Sequence, residues 1–195
     1  MKYLKLISLL CIATIGCLFT SCEETAAVDE YTNWEERNIA FIDSIAKVAE
    51  TDTSGKWLKL LALGLDETDI NGTVAAHDNE SYIYCYIKQS GEGTEYPLRT
   101  VQANYRGRLI PTDSQPEGYV FDQSYRGEFN LATIIPAEFR IKDVILGWQT
   151  ALKHMTKGDR WVIYIPASLG YGSKSQTNIP AHSALIFDMH VADFE

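Results

Sequence analysis

Cysteine is scarce in this chain, which excludes a disulfide framework. Of the four cysteines, Cys11 and Cys17 fall in an apolar N-terminal run, and Cys22 follows the end of that run. The remaining Cys85 has no second thiol with which to form an internal bridge. It sits in a segment of alternating apolar residues, and this pattern predicts a buried structural thiol and not a nucleophile.

Basic residues are also few, and acidic residues outnumber them. The chain has 17 lysines and arginines against 26 aspartates and glutamates, which gives a formal net charge of −9. Removal of residues 1–21, which include two lysines and no acid, would change the charge to −11. Nucleic acid requires a basic surface for its phosphates, so the composition predicts no nucleic-acid partner.

The sequence also lacks the spacings that metal, phosphate and nucleophilic chemistry need. Its four histidines show no metal-ligand spacing and have no partner cysteines. It contains no glycine-rich phosphate loop and no Ser/His/Asp order of the kind found in hydrolases. We therefore predict a function that requires neither a metal nor a cofactor.

The N-terminus has the pattern of a secretory signal. Two lysines precede an apolar run over residues 6–20, which is shorter than the ~20 residues that a spanning helix needs. Residues 18–22, with the sequence LFTSC, resemble a bacterial lipobox, in which the cysteine is lipidated and becomes the first residue. An ordinary signal peptide that happens to contain cysteines is the alternative. We predict a signal peptide over residues 1–21 and lipid attachment at Cys22.

Lipid at Cys22 would place the protein at a membrane surface of the bacterial cell envelope. Acyl chains buried in the bilayer anchor a protein without spanning the membrane. The expected location is the outer membrane, on its periplasmic or its surface face. Glu23 and Glu24 resemble the surface-export signals of some lipoproteins, which favours the surface face weakly.

Residues 22–80 are predicted to form a tether and a helical extension. Thr32 and Glu35 have capping-box spacing, and apolar side chains recur at helical spacing up to about residue 50. These apolar side chains are Trp34, Phe41, Ile45 and Val48. A second short helix is expected over residues 57–63, and a loop follows. The apolar stripe could pack on the rest of the chain, pair with a second copy through residues 32–63, or bind a client.

From residue 81 the apolar period changes to strict alternation, which is typical of strands. Strands are expected near residues 82–87, 101–107, 119–121, 161–165 and 185–191. One amphipathic helix is expected over residues 144–155, with Gly158 as its stop. Several strands with one such helix predict an α+β fold built on an antiparallel sheet, with residues 81–195 as the main domain.

Short motifs across residues 81–194 resemble those of the FKBP-type peptidyl-prolyl cis-trans isomerases. They are NYRG (104–107), VFDQS (120–124), VILGW (144–148), IPA (165–167), GYG (170–172), IPAH (179–182) and LIFD (185–188). Each motif is weak evidence when taken alone. Together they occur in the order of the family and at nearly its spacing, so the resemblance is specific.

The resemblance implies an FKBP-like sheet wrapped around one helix, with an aromatic pocket for a prolyl side chain. By position, Trp148 would form the floor, and Tyr105, Phe121 and Phe187 would form walls. Asp122 would be a buried acid at the pocket edge, and the hydroxyl of Tyr171 would bind a substrate carbonyl. Further substrate contacts are implied at Val144, Ile145 and Ile179.

One further wall position has two candidates, Phe129 and Phe139. The segment between Asp122 and Val144 is longer than in compact members of the family. Bacterial members often have a Phe-x-apolar pattern shortly before the VILGW-like motif, and residues 139–141 fit it. We therefore favour Phe139, with the insertion lying before it.

The implied activity is cis-trans isomerisation of X-Pro bonds in exported or envelope polypeptides. Rotation about such a bond is slow because it breaks amide resonance, with a barrier of ~18–20 kcal/mol. No covalent bond is broken, so no nucleophile, metal or cofactor is needed. An alternative of a different class is a non-catalytic binding module or holdase chaperone that uses the same pocket to grip clients.

Overall fold

The computed structural model describes residues 29–68 and 72–195. The predicted signal peptide, the lipidation of Cys22 and the first part of the tether lie outside these residues. Among the residues described, no helix has the length and apolar character needed to cross a bilayer.

The described part of the chain contains two α-helices and seven β-strands. The helices are α1 (Trp34–Thr51) and α2 (Leu146–Leu152). The strands are β1 (Trp57–Leu61), β2 (Tyr82–Gln89), β3 (Thr100–Arg108), β4 (Val120–Gln123), β5 (Ala137–Arg140), β6 (Arg160–Ile165) and β7 (Leu185–Phe194). Short 3-10 turns span Asn79–Ser81, Ile141–Asp143 and Ala167–Leu169.

All seven strands belong to one antiparallel sheet with the order β1-β2-β6-β7-β3-β4. Strand β5 also pairs with β3, next to the stretch that β4 occupies. The long central strands β3 and β7 pair over residues 101–108 and 186–194. This arrangement confirms the α+β fold with an antiparallel sheet that the sequence predicts.

Helix α2 packs on the inner face of the sheet. Its Trp148, Ala151 and Leu152 are buried against inward-facing side chains of the central strands. The helix approaches β6 so closely that a Cβ atom at Gly147 would lie 2.4 Å from Cγ2 of Ile165. Burial of a large aliphatic or aromatic side chain contributes about 1.5–3 kcal/mol, so this layer is a main source of stability.

Helix α1 covers the outer face of the same sheet. Tyr164 lies between the inward-facing Ile163 and Ile165 on β6, so its ring points outward, where it packs on Phe41 of α1 at 6.1 Å between ring centroids. Ile42 and Ala46 of α1 join the buried core. Of the three roles predicted for the extension, the structure shows packing on the main domain. Pairing of two copies through residues 32–63 stays a prediction.

Because helices cover both faces of the sheet, two adjacent residues of β2 are fully buried on opposite faces. Tyr84 faces α1, whereas Cys85 faces the inner core, and both are inaccessible to solvent. Burial raises the pKa of the Cys85 thiol, which stays protonated and unreactive. The prediction of a buried structural thiol is therefore confirmed.

The residues that α1 buries differ in part from those predicted. Trp34, Asn38, Ile42 and Ala46 are its buried residues, whereas the predicted Val48 is 46% exposed. The prediction did not include Asn38 because it considered only apolar side chains, and Asn38 is polar. The predicted capping box is also wrong, since Asn33 occupies the N-cap with a φ of 51° and no side chain caps the helix.

Two other local predictions fail for identifiable reasons. Residues 57–61 form strand β1 rather than a helix, and they pair with β2 with Lys59 opposite Tyr84. A short apolar run does not distinguish a strand from a helix, and here the aromatic Trp57 stacks on Tyr164 at 5.6 Å. The helix predicted over residues 144–155 is shorter at both ends. It ends at Leu152, well before Gly158, so Gly158 is not its stop.

The insertion between β4 and β5 folds back onto the outer face of the sheet. Asp188 on β7 accepts two hydrogen bonds of 2.8 Å from Arg160 and one of 2.9 Å from Lys88. The guanidinium of Arg160 lies 3.6 Å from the ring centroid of Phe129, and Tyr125 is buried beside it. Cation–aromatic contacts thus attach the insertion to a partly buried ion-pair cluster.

Candidate active site

A cavity of about 260 Å³ opens at the N-terminal end of α2. Ten residues line it: Tyr105, Phe121, Asp122, Phe139, Asp143, Val144, Ile145, Trp148, Tyr171 and Phe187. They come from strands β3, β4, β5 and β7, from the start of α2 and from the loop after β6. The structure therefore brings together nine of the ten pocket residues named from the sequence.

Three aromatic rings meet Trp148 edge-on at the base of the cavity. The centroid of its ring lies 5.3 Å from that of Tyr105, 5.2 Å from Phe139 and 5.1 Å from Phe187. Edge-to-face contacts at this spacing are favourable and fix ring orientation. The base of the cavity is thus a rigid apolar surface that needs no rearrangement to receive a flat aliphatic ring.

Gly107 explains why the NYRG motif ends in glycine. It lies opposite Asp122 on β4 and opposite Phe187 on β7. A Cβ atom there would lie 2.6 Å from Cζ of Phe121 and 2.7 Å from Cε1 of Phe187. The rings of Phe121 and Phe187 meet edge-on with their centroids 5.6 Å apart, and this contact leaves no room for a side chain at residue 107.

A hydrogen bond joins the wall and the rim of the cavity. The hydroxyl of Tyr105 donates to Oδ2 of Asp122 at 2.7 Å. Burial, and then this hydrogen bond, raise the pKa of Tyr105 well above its ordinary value. The expected burial of Asp122 is wrong: its side chain is exposed, because β4 is an edge strand and the carboxylate points to the mouth of the cavity.

Tyr171 stands at the mouth of the cavity after the 3-10 turn Ala167–Leu169. Its side chain is 38% exposed, and its hydroxyl makes no hydrogen bond to any residue that the structure describes. Burial, and then the charge of Asp122, raise its pKa above the ordinary value. The hydroxyl therefore stays protonated at neutral pH and is available as a donor to a ligand.

A backbone N–H group is also available at the start of α2. The carbonyl of Ile145 accepts hydrogen bonds from the N–H groups of Trp148 and Gln149, at 3.0 and 3.1 Å. The N–H of Ile145 itself makes no hydrogen bond within the described chain. Since Ile145 lines the cavity, this N–H is a second donor available to a ligand.

Of the two phenylalanines that were candidates for the remaining wall position, only one lines the cavity. Phe139 on β5 lines the cavity, with its ring centroid 5.5 Å from that of Tyr105. Phe129 lies on the outer face of the sheet beneath Arg160. The segment before Phe139 thus loops away from the site before the chain returns as β5.

Two residues differ from the predicted site. Ile179 is 5% exposed and is not among the lining residues, because the turn that pairs it with Gln176 directs it into the core. Asp143 lines the cavity although the sequence reasoning did not name it, and it forms a 2.6 Å ion pair with Arg140. Its position directly before the VILGW motif was the available signal.

Comparisons with known proteins point to one family. Residues 93–192 match the family model described as FKBP-type peptidyl-prolyl cis-trans isomerase. The peptidyl-prolyl isomerase FkpA of Buchnera aphidicola from Schizaphis graminum is 40% identical over 112 residues, which are 56% of this chain and 39% of that protein. Mip of Coxiella burnetii is 41% identical over 108 residues, 54% of this chain and 41% of that protein. The chain spans less than half the length of these relatives.

Solved structures agree with the fold. The crystal structure of FkpA from Escherichia coli matches with a TM-score of 0.55 and 29% identity, over 83% of this chain and 61% of that chain. A peptidyl-prolyl isomerase from Pseudomonas syringae pv. tomato matches with a TM-score of 0.54 over 81% of this chain and 93% of that chain. At 23% identity the second match shows the fold alone.

Proposed function

The chain belongs to the FKBP-type peptidyl-prolyl cis-trans isomerases, and on that premise we propose that its cavity isomerises X-Pro bonds in polypeptides. One observation carries the proposal. Aromatic rings from distant parts of the chain, at residues 105, 121, 139 and 187, converge around Trp148 to form an apolar cup open to solvent. A prolyl ring is a flat aliphatic group that such a cup fits.

The cup lowers the barrier by favouring the twisted amide over the planar one. Catalysis requires tighter binding of the transition state than of the ground state. The planar amide has the larger charge separation, which water stabilises and an apolar cavity does not. Each ~1.4 kcal/mol gained in this way speeds rotation tenfold.

Two donors would hold the peptide in the twisted geometry. The hydroxyl of Tyr171 and the N–H of Ile145 make no hydrogen bond within the described chain, and both residues line the cavity, so each group can bind a carbonyl next to the proline. The carboxylate of Asp122 already accepts the hydroxyl of Tyr105. We therefore assign Asp122 to orienting the Tyr105 wall, with no proton transfer to or from the substrate.

Removal of the Tyr171 hydroxyl tests this assignment. We expect Tyr171→Phe to lower kcat/KM on a proline-containing tetrapeptide by about two- to tenfold, the value of one neutral hydrogen bond. The measurement is a cis-trans isomerisation assay on the soluble chain beginning at residue 23, with a macrolide that blocks FKBP pockets as control. Protection of an unfolded client without any turnover would instead support the non-catalytic binding module.

We also propose that lipid on Cys22 anchors the enzyme at the bacterial envelope, where exported chains fold. The support is the sequence of residues 1–24: a basic start, a short apolar run and a lipobox-like LFTSC. In this arrangement residues 22–80 are the lipidated tether and helical extension, and residues 81–195 carry the activity. Proline-containing exported polypeptides are the expected substrates.

Labelling with radioactive palmitate in a bacterial host tests the anchor. The full-length chain is expected to incorporate label, and Cys22→Ser is expected to lose it because the acceptor thiol is gone. Cys85→Ser is the matched control, since Cys85 is fully buried and should leave labelling unchanged. Equal labelling of Cys22→Ser and the unaltered chain would exclude Cys22 as the acceptor.

A further inference from the structure

Three consecutive residues before β7 are each held by α1. The segment 182–184, which we call the clamp segment, contacts Trp34, Glu35 and Asn38 in the first turns of the helix. Two of the three contacts are buried hydrogen bonds. The helix is thus attached to a loop of the main domain by specific polar groups as well as by apolar packing.

The first buried contact comes from the indole of Trp34. Its Nε1–H donates to Oγ of Ser183 at 2.8 Å, and this hydroxyl donates in turn to the carbonyl of Pro180 at 2.7 Å. Trp34 and Ser183 are both buried. The hydroxyl of Ser183 therefore has one donor and one acceptor fixed, which leaves its side chain a single orientation.

The second buried contact comes from the amide of Asn38, which is 2% exposed. Its Oδ1 accepts from the N–H of Ala184 at 2.8 Å, and its Nδ2 donates to the carbonyl of Trp34 at 2.6 Å. A buried amide paired on both sides is costly to displace, because each group would lose its partner in the protein interior. The third contact, a 2.9 Å pair between Glu35 and His182, is partly exposed and adds little.

The clamp segment is connected to two residues of the cavity. The N–H of His182 donates to the carbonyl of Gly172 at 2.8 Å, directly beside Tyr171. In the other direction, Ala184 leads into β7 and so to Phe187. Between these points residues 173–178 are exposed to solvent, while the N–H of Gly172 also donates to the carbonyl of Ala167 at 2.8 Å and Ile179 is buried.

We infer that Trp34 and Asn38 are positioning residues for the isomerase site, because they fix the clamp segment and so hold the Tyr171 hydroxyl over the cavity. This inference rests on the proposed function. It gives the N-terminal helix a part in substrate binding although no residue of α1 lines the cavity. Loosening of the clamp segment is expected to free Tyr171, whereas Phe187 is held in the cup by the pairing of β7 with β3 and β6.

A double-mutant cycle tests this role in the soluble chain beginning at residue 23. Asn38→Ala alone is expected to lower kcat/KM by about two- to tenfold, as Tyr171→Phe does. If Asn38 acts through the Tyr171 hydroxyl, the double variant loses little more than either single variant. Trp34→Phe is the second variant: it keeps an aromatic ring but removes the Nε1–H donor together with part of the buried indole, and it should behave in the same way.

Hydrogen exchange of residues 168–184 provides a readout that does not depend on turnover. Exchange there is expected to quicken in Asn38→Ala and Trp34→Phe. Phe41→Leu is the matched control, because Phe41 lies on α1 and packs on Tyr164, and its side chain makes none of the three polar contacts to the clamp segment. Its stability should fall while exchange in residues 168–184 and kcat/KM stay near those of the unaltered chain.

Fully additive losses in the cycle, or unchanged loop exchange in both α1 variants, would overturn the inference. Equal effects from Phe41→Leu would overturn it as well, since general destabilisation would then explain the results. An unaltered chain that fails to isomerise any proline peptide would refute the proposed function instead. The exchange comparison would still show whether α1 holds the loop.

Discussion

Trp148→Ala is expected to lower kcat/KM for X-Pro isomerisation by about 100-fold or more. The indole is the floor on which the rings of Tyr105, Phe139 and Phe187 rest edge-on. Without it the walls lose their common contact, and water enters the cup and again stabilises the planar amide. Loss of a buried tryptophan also costs about 3–5 kcal/mol of folding free energy, so turnover must be measured at low temperature on protein shown to be folded.

Trp148→Phe separates the loss of the floor from the loss of the fold. The Nε1–H of Trp148 has no hydrogen-bond partner among the residues described, so phenylalanine removes area without breaking a hydrogen bond. We expect this variant to retain part of the activity and most of the stability. A folded Trp148→Ala protein with undiminished turnover would show that the cavity is not the site of isomerisation.

Asp188→Asn is expected to destabilise the fold by about 1.5–3 kcal/mol, the usual value of hydrogen bonds to a charged group. The Asp188 side chain is only 13% exposed, and its single negative charge pairs with both Arg160 and Lys88 on the outer face. The amide keeps the shape but leaves the guanidinium without its counter-charge. Urea unfolding of the two proteins measures the difference.

The same variant has a defined dependence on pH. Burial acts to raise the pKa of Asp188, but hydrogen bonds from Arg160 and Lys88 outweigh it and hold the pKa below the ordinary range. A depressed pKa in the folded state means that the stabilisation is present above the unfolded value of about 3.9 and is lost as pH falls through the folded value. The gap in stability between the unaltered chain and Asp188→Asn should therefore narrow below about pH 4.

A surface pair serves as the control for this prediction. Asp193 pairs with Lys157 at 2.8 Å, but both side chains are more than half exposed. We expect Asp193→Asn to leave the urea midpoint unchanged, because exposed pairs contribute little. A comparable loss of stability in both variants would mean that the partly buried cluster around Asp188 stabilises the fold no more than an exposed pair does.

The residues of the cavity could be named from the sequence because they occur in ordered motifs. Such motifs fix which side chains converge, whatever the details of the elements between them. Burial and shape at the rim could not be obtained in this way. Asp122 is exposed because β4 lies at the edge of the sheet, and Ile179 turns inward because Asn178 adopts a positive φ of 63° in the preceding turn.

The N-terminal region shows where sequence patterns are ambiguous. The apolar content of residues 57–61 fits a short helix as well as a strand. Only their pairing with β2 makes them a strand. A search for hydrophobic periodicity does not detect Asn38, although its amide is buried and makes hydrogen bonds through both Oδ1 and Nδ2. Long-range polar contacts of this kind depend on the tertiary fold, so no local pattern predicts them.

The covering of the sheet on both faces determines how small a working fragment can be. A fragment cut at residue 81, where the family-like motifs begin, would lack α1 and β1. It would present the rings of Tyr84 and Tyr164 to water and leave β2 as a bare strand edge, a surface on which chains aggregate. The shortest well-behaved version of this protein therefore starts ahead of Trp34, and the segment outside the recognisable motifs is a structural part of it.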